Sequence, residues 1–344
     1  MKRTNILLVF LVGSFALSFS QMPDKTKKES EKAYNKAVEF IQIGAFSNAV
    51  NSLNYCIELK PDFTEAFMLR AKSNVELSNF DSALDDFETV ISSNPNLGEA
   101  YFFLAYLNFR TDTATGILQN FDRAIDNGYK EYQAYYYRGL YKLLLDDYSG
   151  SIEDFTEAVN MNPDLPNAYH DRATAKRALG DLQGALHDYR LATDYKHDFP
   201  MAFNNMGSVK IVLGDYEGAL EDYNVAITLD PEFAIAYNNR GTVHYFLTDY
   251  ESALTDFDMA ISIDNLYAFA NNNKASAVAK LGDHVLSVSL FDDVLNDIPD
   301  YGQAYLNRGL VKELMGDLDG ACWDWNMALE LGIEEAGKYI EECK

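Results

Sequence analysis

Small and apolar side chains recur every 34 residues through nine blocks that fill residues 30–335 without an insertion or deletion. Counted from residue 30, position 8 of each block reads Ala37, Ala71, Ala105, Gly139, Ala173, Gly207, Gly241, Ala275 and Gly309. Position 20 is Ala or Ser in all blocks but the third, which has Ile117. Position 24 is Leu53 in the first block and an aromatic in the others, from Phe87 to Trp325. Small residues at positions 8 and 20 let two antiparallel helices approach closely, and the large residue at position 24 fills the space beside them. A unit of this length cannot bury its apolar face alone, so the pattern predicts an all-α solenoid of stacked helix pairs.

The turns repeat as well. Gly44, Gly180, Gly214, Gly282 and Gly316 at position 15 suit a left-handed helix stop. Asp147, Asp181, Asp215, Asp249, Asp283 and Asp317 follow at position 16, placed to accept free backbone N–H groups at the start of the second helix. Pro61, Pro95, Pro163, Pro231 and Pro299 at position 32 end the second helix, and two blocks use Gly128 and Gly332 one place earlier.

Together with Phe or Tyr at position 4 (Phe67, Tyr101, Tyr135, Tyr169, Phe203, Tyr237, Tyr305), these residues resemble the tetratricopeptide repeat family. The resemblance implies a right-handed superhelical solenoid whose first helices line a concave, peptide-binding surface. Ala33 and Asn271 depart from the pattern at position 4 and predict looser packing in the first and eighth blocks. Thr113, Thr115 and Gly116 are poor helix formers where the third block's second helix should start, which predicts a bend there.

The ends are different. Lys2 and Arg3 precede an apolar run over residues 6–17, and Ser18 and Ser20 sit at the small-residue places of a cleavage site. Residues 1–20 read as a secretory signal peptide, 21–29 as a flexible polar leader and 336–344 as a capping helix. The run is shorter than the roughly 20 residues of a membrane span. No Cys follows it, which argues against a bacterial lipid anchor. The expectation is an exported protein, periplasmic or secreted.

Without Lys2 and Arg3 the charge is 26 − 53 = −27. Such a field excludes nucleic acid as a partner and favours basic ones, although an acidic surface also serves solubility alone. Cys56 stands at position 27, where most later blocks have Ala, and reads as a small core residue. Cys322 and Cys343 fall early in the last second helix and late in the cap, where antiparallel packing would bring them to one level. They are either a disulfide that pins the cap or two free thiols.

Three sets of residues could carry function. Arg70, Arg138, Arg172, Arg240 and Arg308 at position 7 accompany Asp86, Asp154, Asp188, Asp256 and Asp324 at position 23, which predicts an ion pair between the two helices of a block. Met206 beside Asp222 breaks the rule. Position 6 carries Asn205, Asn239, Asn273 and Asn307, preceded by Asp171 and matched by Asn35. This row resembles the asparagine ladder in the tetratricopeptide superhelix of protein O-linked N-acetylglucosamine transferases. It could hold a peptide backbone in a groove, or bridge helices within the solenoid. The first helices of blocks three and four instead present Phe102, Phe103, Tyr106, Phe109, Tyr136, Tyr137, Leu140 and Leu143. These either anchor a partner in the groove or pack between helices.

No nucleophile elbow, phosphate loop, calcium loop or metal-ligand spacing occurs, and His170, His187, His197, His244 and His284 are scattered. Hence no catalytic residue, cofactor or metal is expected. The predicted function is a non-enzymatic scaffold that holds an extended peptide or partner segment, with protein partners, no nucleic acid and no membrane span after signal cleavage. The alternative is a structural subunit of a cell-envelope assembly that uses convex or edge surfaces.

Overall fold

The computed structural model describes residues 24–111, 116–265 and 267–343. The expected signal peptide, Thr113 and Thr115 lie outside the described residues. Among the described residues all regular structure is helical. The chain divides into two compact units, Met1–Lys130 and Glu131–Lys344.

The amino-terminal unit contains three antiparallel helix pairs: α1 (Asp24–Gln42) with α2 (Phe46–Leu59), α3 (Thr64–Glu76) with α4 (Phe80–Ser93), and α5 (Gly98–Thr111) with α6 (Ile117–Asp126). The flexible leader expected at 21–29 is helical from Asp24 onward. Its Lys and Glu residues are good helix formers, and Ser30 is fully buried, with its carbonyl accepting from the Cys56 thiol at 3.4 Å. Burial pushes that thiol up to about 11, as befits a core cysteine. Helix α6 has 10 residues, whereas α2 and α4 have 14 each, because it starts only after Gly116.

The carboxy-terminal unit contains six pairs: α7 (Tyr132–Leu144) with α8 (Tyr148–Met161), α9 (Pro166–Ala178) with α10 (Leu182–Tyr195), and α11 (Pro200–Val212) with α12 (Tyr216–Leu229). These are followed by α13 (Ala234–Phe246) with α14 (Tyr250–Ile263), α15 (Ala268–Lys280) with α16 (His284–Asp297), and α17 (Gly302–Leu314) with α18 (Leu318–Glu330). The capping helix expected at 336–344 is a single α turn, α19 (Gly337–Ile340), between 3-10 turns at Glu334–Ala336 and Glu341–Cys343. The structure joins Cys322 to Cys343 (Cα–Cα 5.7 Å), and Tyr339 stacks on Trp325 with ring centres 5.2 Å apart.

Packing follows the small-residue rule in atomic detail. A Cβ on Gly207 would lie 2.9 Å from the Tyr223 ring, and one on Gly309 would lie 2.5 Å from Trp325 Nε1. Position 8 is small because the position-24 ring of the same pair lies against it. The position-15 turn is left-handed even without glycine: Ser78, Asp146 and Thr248 adopt φ of 60°, 59° and 63°. Six aspartates, from Asp147 to Asp317, each cap their second helix by accepting the N–H three residues on.

All five Arg–Asp pairs form with two-pronged geometry. Arg308 donates to Asp324 through Nε (2.9 Å) and Nη2 (2.5 Å), and Arg70 engages Asp86 in the same way. The remaining Nη1 reaches position 25 of the preceding pair: Asn54 from Arg70, Thr156 from Arg172, Asn224 from Arg240 and Asp292 from Arg308. The guanidinium therefore bonds its own pair and its neighbour. Asp222, which has Met206 where others have Arg, is met by Lys210 Nζ at 2.7 Å from Oδ2. Its carboxyl is pushed above the ordinary range by burial, with Lys210 opposing. Arg190 occupies position 25 of the preceding pair, so an Arg at 206 would face like charge. In the eighth block, Asn271 at position 4 turns its amide back toward the Tyr267 carbonyl at 3.4 Å.

Candidate functional site: an amide chain on the first helices

In the carboxy-terminal unit successive first helices touch one another, α7 with α9, α11 with α13, α13 with α15, and α15 with α17. Their positions 5 and 6 meet at these contacts. Asn307 Nδ2 donates to Asn272 Oδ1 (3.2 Å), Asn273 Nδ2 to Asn238 Oδ1 (3.0 Å), and Asn239 Nδ2 to Asn204 Oδ1 (3.0 Å). Within each dipeptide the position-5 amide donates to its neighbour: Asn272 to Asn273, Asn238 to Asn239, and Asn204 to Asn205. The row of side chains is thus one continuous hydrogen-bonded chain.

The chain ends on a fixed acceptor. Asn205 Nδ2 lies 3.0 Å from His170 Nε2, and His170 Nδ1 lies 2.9 Å from Asp171 Oδ1. The other Asp171 oxygen accepts from the Tyr136 hydroxyl at 3.1 Å. A carboxylate has no proton to give, so in the neutral imidazole Nδ1 carries the hydrogen and Nε2 accepts. That assignment turns the Asn205 amide, and with it every amide behind it, the same way round. Burial, followed by the charge of Asp171, pushes the Tyr136 hydroxyl far above its ordinary range.

Position 9 adds hydroxyls to the same face. Thr174, Ser208, Thr242 and Ser276 donate to carbonyls one turn back. Ser208 also pairs with the Tyr223 hydroxyl at 3.1 Å, and Tyr223 is pushed up to about 12 by burial. An Asn amide has two N–H groups and two acceptor sites. Asn239 spends one N–H on Asn204 and one acceptor site on Asn238, which keeps one of each for a ligand. A cavity of about 290 Å³ opens on this face, lined by Thr242, Tyr245, Phe246, Asn273, Ser276, Gln303 and Asn307. None of these is charged, although the chain carries −25.

The structure brings together Asp171, Asn205, Asn239, Asn273 and Asn307, in the bridging role; Asn273 and Asn307 donate in addition to the Thr242 and Ser276 hydroxyls at 3.5 Å. His170, Asn204, Asn238 and Asn272, one position earlier, are equal members of the chain; the Asn-Asn dipeptides at 204–205, 238–239 and 272–273 were the signal for them. Of the two readings of the aromatic set, packing between helices is the one seen for Phe102, Phe103 and Tyr106. Phe102 is 3% exposed and stacks on Tyr129 (4.8 Å), Tyr106 is 8% exposed, and Phe103 stacks on Phe87 (5.6 Å). Rings at 102, 103 and 106 fill the space between helices, where they bury more apolar area than a groove would allow. Phe109, Tyr136 and Leu140 are half-buried; the Tyr136 ring packs against Tyr137 and Phe155. Among the described residues no three His, Cys, Asp or Glu side chains converge as a metal would require, and no helix is long and apolar enough to cross a membrane.

Residues 68–116 match the tetratricopeptide repeat family, and residues 212–247 match a second repeat model of the same kind. These two stretches carry tetratricopeptide repeats. Solved structures of similar fold include the APC/C hetero-tetramer Cut9-Hcn1, at 13% identity and TM-score 0.59, over 91% of this chain and 76% of the matched chain. A tetratricopeptide repeat protein from Parabacteroides merdae aligns at 15% identity and TM-score 0.52, over 81% of this chain and 97% of that one. Pseudomonas aeruginosa pilF aligns at 19% identity and TM-score 0.53, over 61% and 97%. No curated protein matches the chain. At these identities the tetratricopeptide likeness concerns the fold.

Proposed function

We propose that this tetratricopeptide protein is a non-enzymatic scaffold whose first-helix face, from Asp171 to Gln303, holds an extended and largely uncharged segment of a partner protein. The observation that carries this reading is the amide chain itself. It stacks the helix pairs, and at Asn239 it keeps one N–H and one acceptor site of the kind a peptide backbone requires, beside a neutral cavity with aromatic walls. The Cys322–Cys343 disulfide and the apolar run at residues 6–17 support export to the periplasm or beyond. Attraction of basic partners would come from carboxylates outside the cavity.

The test places a photo-crosslinking amino acid at Ser276 or Gln303 on this face, or at Glu251 on a second helix, in the producing cell. Crosslinks to one partner segment from 276 and 303 but not from 251 are expected. A partner trapped only from 251 sinks the reading. A variant with Asn205, Asn239, Asn273 and Asn307 all changed to Ala should also lose the segment; a thermal melt must accompany it, because the same amides join helix pairs. A second reading, a structural subunit of a cell-envelope assembly using convex or edge surfaces, is favoured by exposed apolar residues at the first-helix ends. Its signature is copurification with envelope proteins that the amide variant leaves intact.

A further inference from the structure

Positions 13 and 14 close each first helix, beside solvent and the acidic turn. In the carboxy-terminal unit both are large apolar residues in four of the six pairs, with Ala178 and Lys280 at position 13 of the other two. Leu144, Val212 and Leu314 at position 13 are each 68% exposed, and Phe246 is 52% exposed. Position 14 is Leu in five pairs and Met315 in the sixth, all between 41% and 55% exposed. Scattered exposed apolar residues are ordinary. Here the same two places repeat in stacked units, so the side chains form a row along one edge of the unit.

A second row runs parallel to the first. Two residues beyond position 14 stands the exposed capping Asp of each pair, its carboxylate accepting a backbone N–H. The left-handed residue at position 15 repeats the same turn from pair to pair, with φ between 59° and 93°. Aromatic rings mark the middle of the edge, where Tyr216 lies 6.0 Å from Phe246 and Tyr245 lies 5.4 Å from Tyr250.

We propose that this edge docks a basic amphipathic helix of a partner protein, its apolar stripe on the row of leucines and its Lys or Arg residues on the row of capping aspartates. Charge decides the occupant: six aspartates in a chain of −25 repel anionic lipid and acidic segments, and they draw in basic ones. A helix presents apolar residues at every third or fourth place, as a linear row demands. The edge shares Tyr245 and Phe246 with the cavity wall but uses none of the amides. The proposal gives a chemistry to the edge reading, and it can fail while the inner-face crosslinks hold.

The probe is a fluorescent Leu/Lys amphipathic helix of about 18 residues, roughly 27 Å long, with a Leu/Glu helix of the same pattern as control. Its anisotropy is read against the full-length protein. Changing Leu145, Leu213, Leu281 and Met315 to Ser, all of them exposed and outside the cavity lining, should weaken the Leu/Lys peptide by about tenfold or more with an unchanged melt. Changing Asp181, Asp215 and Asp283 to Asn keeps the caps, since Asn caps as well as Asp. It should weaken binding several-fold at low salt and flatten the salt dependence. Binding to the serine variant within twofold of the parent would overturn the proposal, as would equal binding of the Leu/Glu peptide. A parent dimer that the serine variant converts to monomer would overturn it in favour of a second copy.

Discussion

The two units solve the same packing problem with different side chains. In the amino-terminal unit positions 5 and 6 of the first helices are Tyr34 and Asn35, Met68 and Leu69, and Phe102 and Phe103. There, rings and thioether fill the contact, as when Tyr34 stacks on Phe63 at 5.0 Å. From α9 onward the carboxy-terminal unit fills these places with His170, Asp171 and a run of amides. An aromatic contact closes a gap and has nothing left to offer. An amide contact closes the gap and, at Asn239, still has bonding capacity. The second helices differ too: six Asp caps serve the carboxy-terminal unit, whereas Ala45 and Asn79 give α2 and α4 no side-chain cap. The region whose helix ends are individually satisfied is also the one whose first helices are joined by polar side chains.

The largest expected difference lies in the buried carboxylates. Asp324 answers both Arg308 and Lys312 (2.9 Å), whereas Asp86 answers Arg70, which also holds Asn54. Asp324→Ala should cost about 3–5 kcal/mol in urea unfolding, and Asp86→Ala clearly less. Equal losses would erase the contrast in how the units are pinned.

Next comes the amide chain. Asn238→Ala removes the acceptor of Asn273 and the donor to Asn239, and should cost about 1–2 kcal/mol by thermal unfolding. A melt that does not move would mean these amides are spectators of the stacking. The smallest effect is a gain: Ala45→Asp supplies the missing cap of α2 and should add about 1 kcal/mol or less. A neutral result would show that the amino-terminal helices do not need what the carboxy-terminal ones use.

Rules that bind one position to another inside a block were legible in the sequence. Position 8 against 24 recurs in nine blocks, Asp at 16 in six and Arg at 7 with Asp at 23 in five, all in register. The partners of the amide row were not read, because Asn239 bonds Asn204 and Asn273 bonds Asn238, a separation of 35 residues and not 34. A comparison in register lines equivalents up and hides a neighbour that is one place out of step. The leader failed for another reason: a charged run of Lys and Glu resembles a tether in composition, yet it has the helix propensity to extend α1 back to Asp24. For Phe102 and Tyr106 the sequence left two readings open, because a ring's identity does not say which side of its helix the neighbours occupy; both rings are buried.

Asp171 gives the whole row a heading. Since it can only receive, each carboxamide behind it is oriented like a compass needle by the one in front, and none can turn alone without setting two like atoms face to face. A polypeptide strand laid alongside has a heading of its own, amino end to carboxyl end. Such a track would therefore tell a sequence from its reversal before it reads a single side chain.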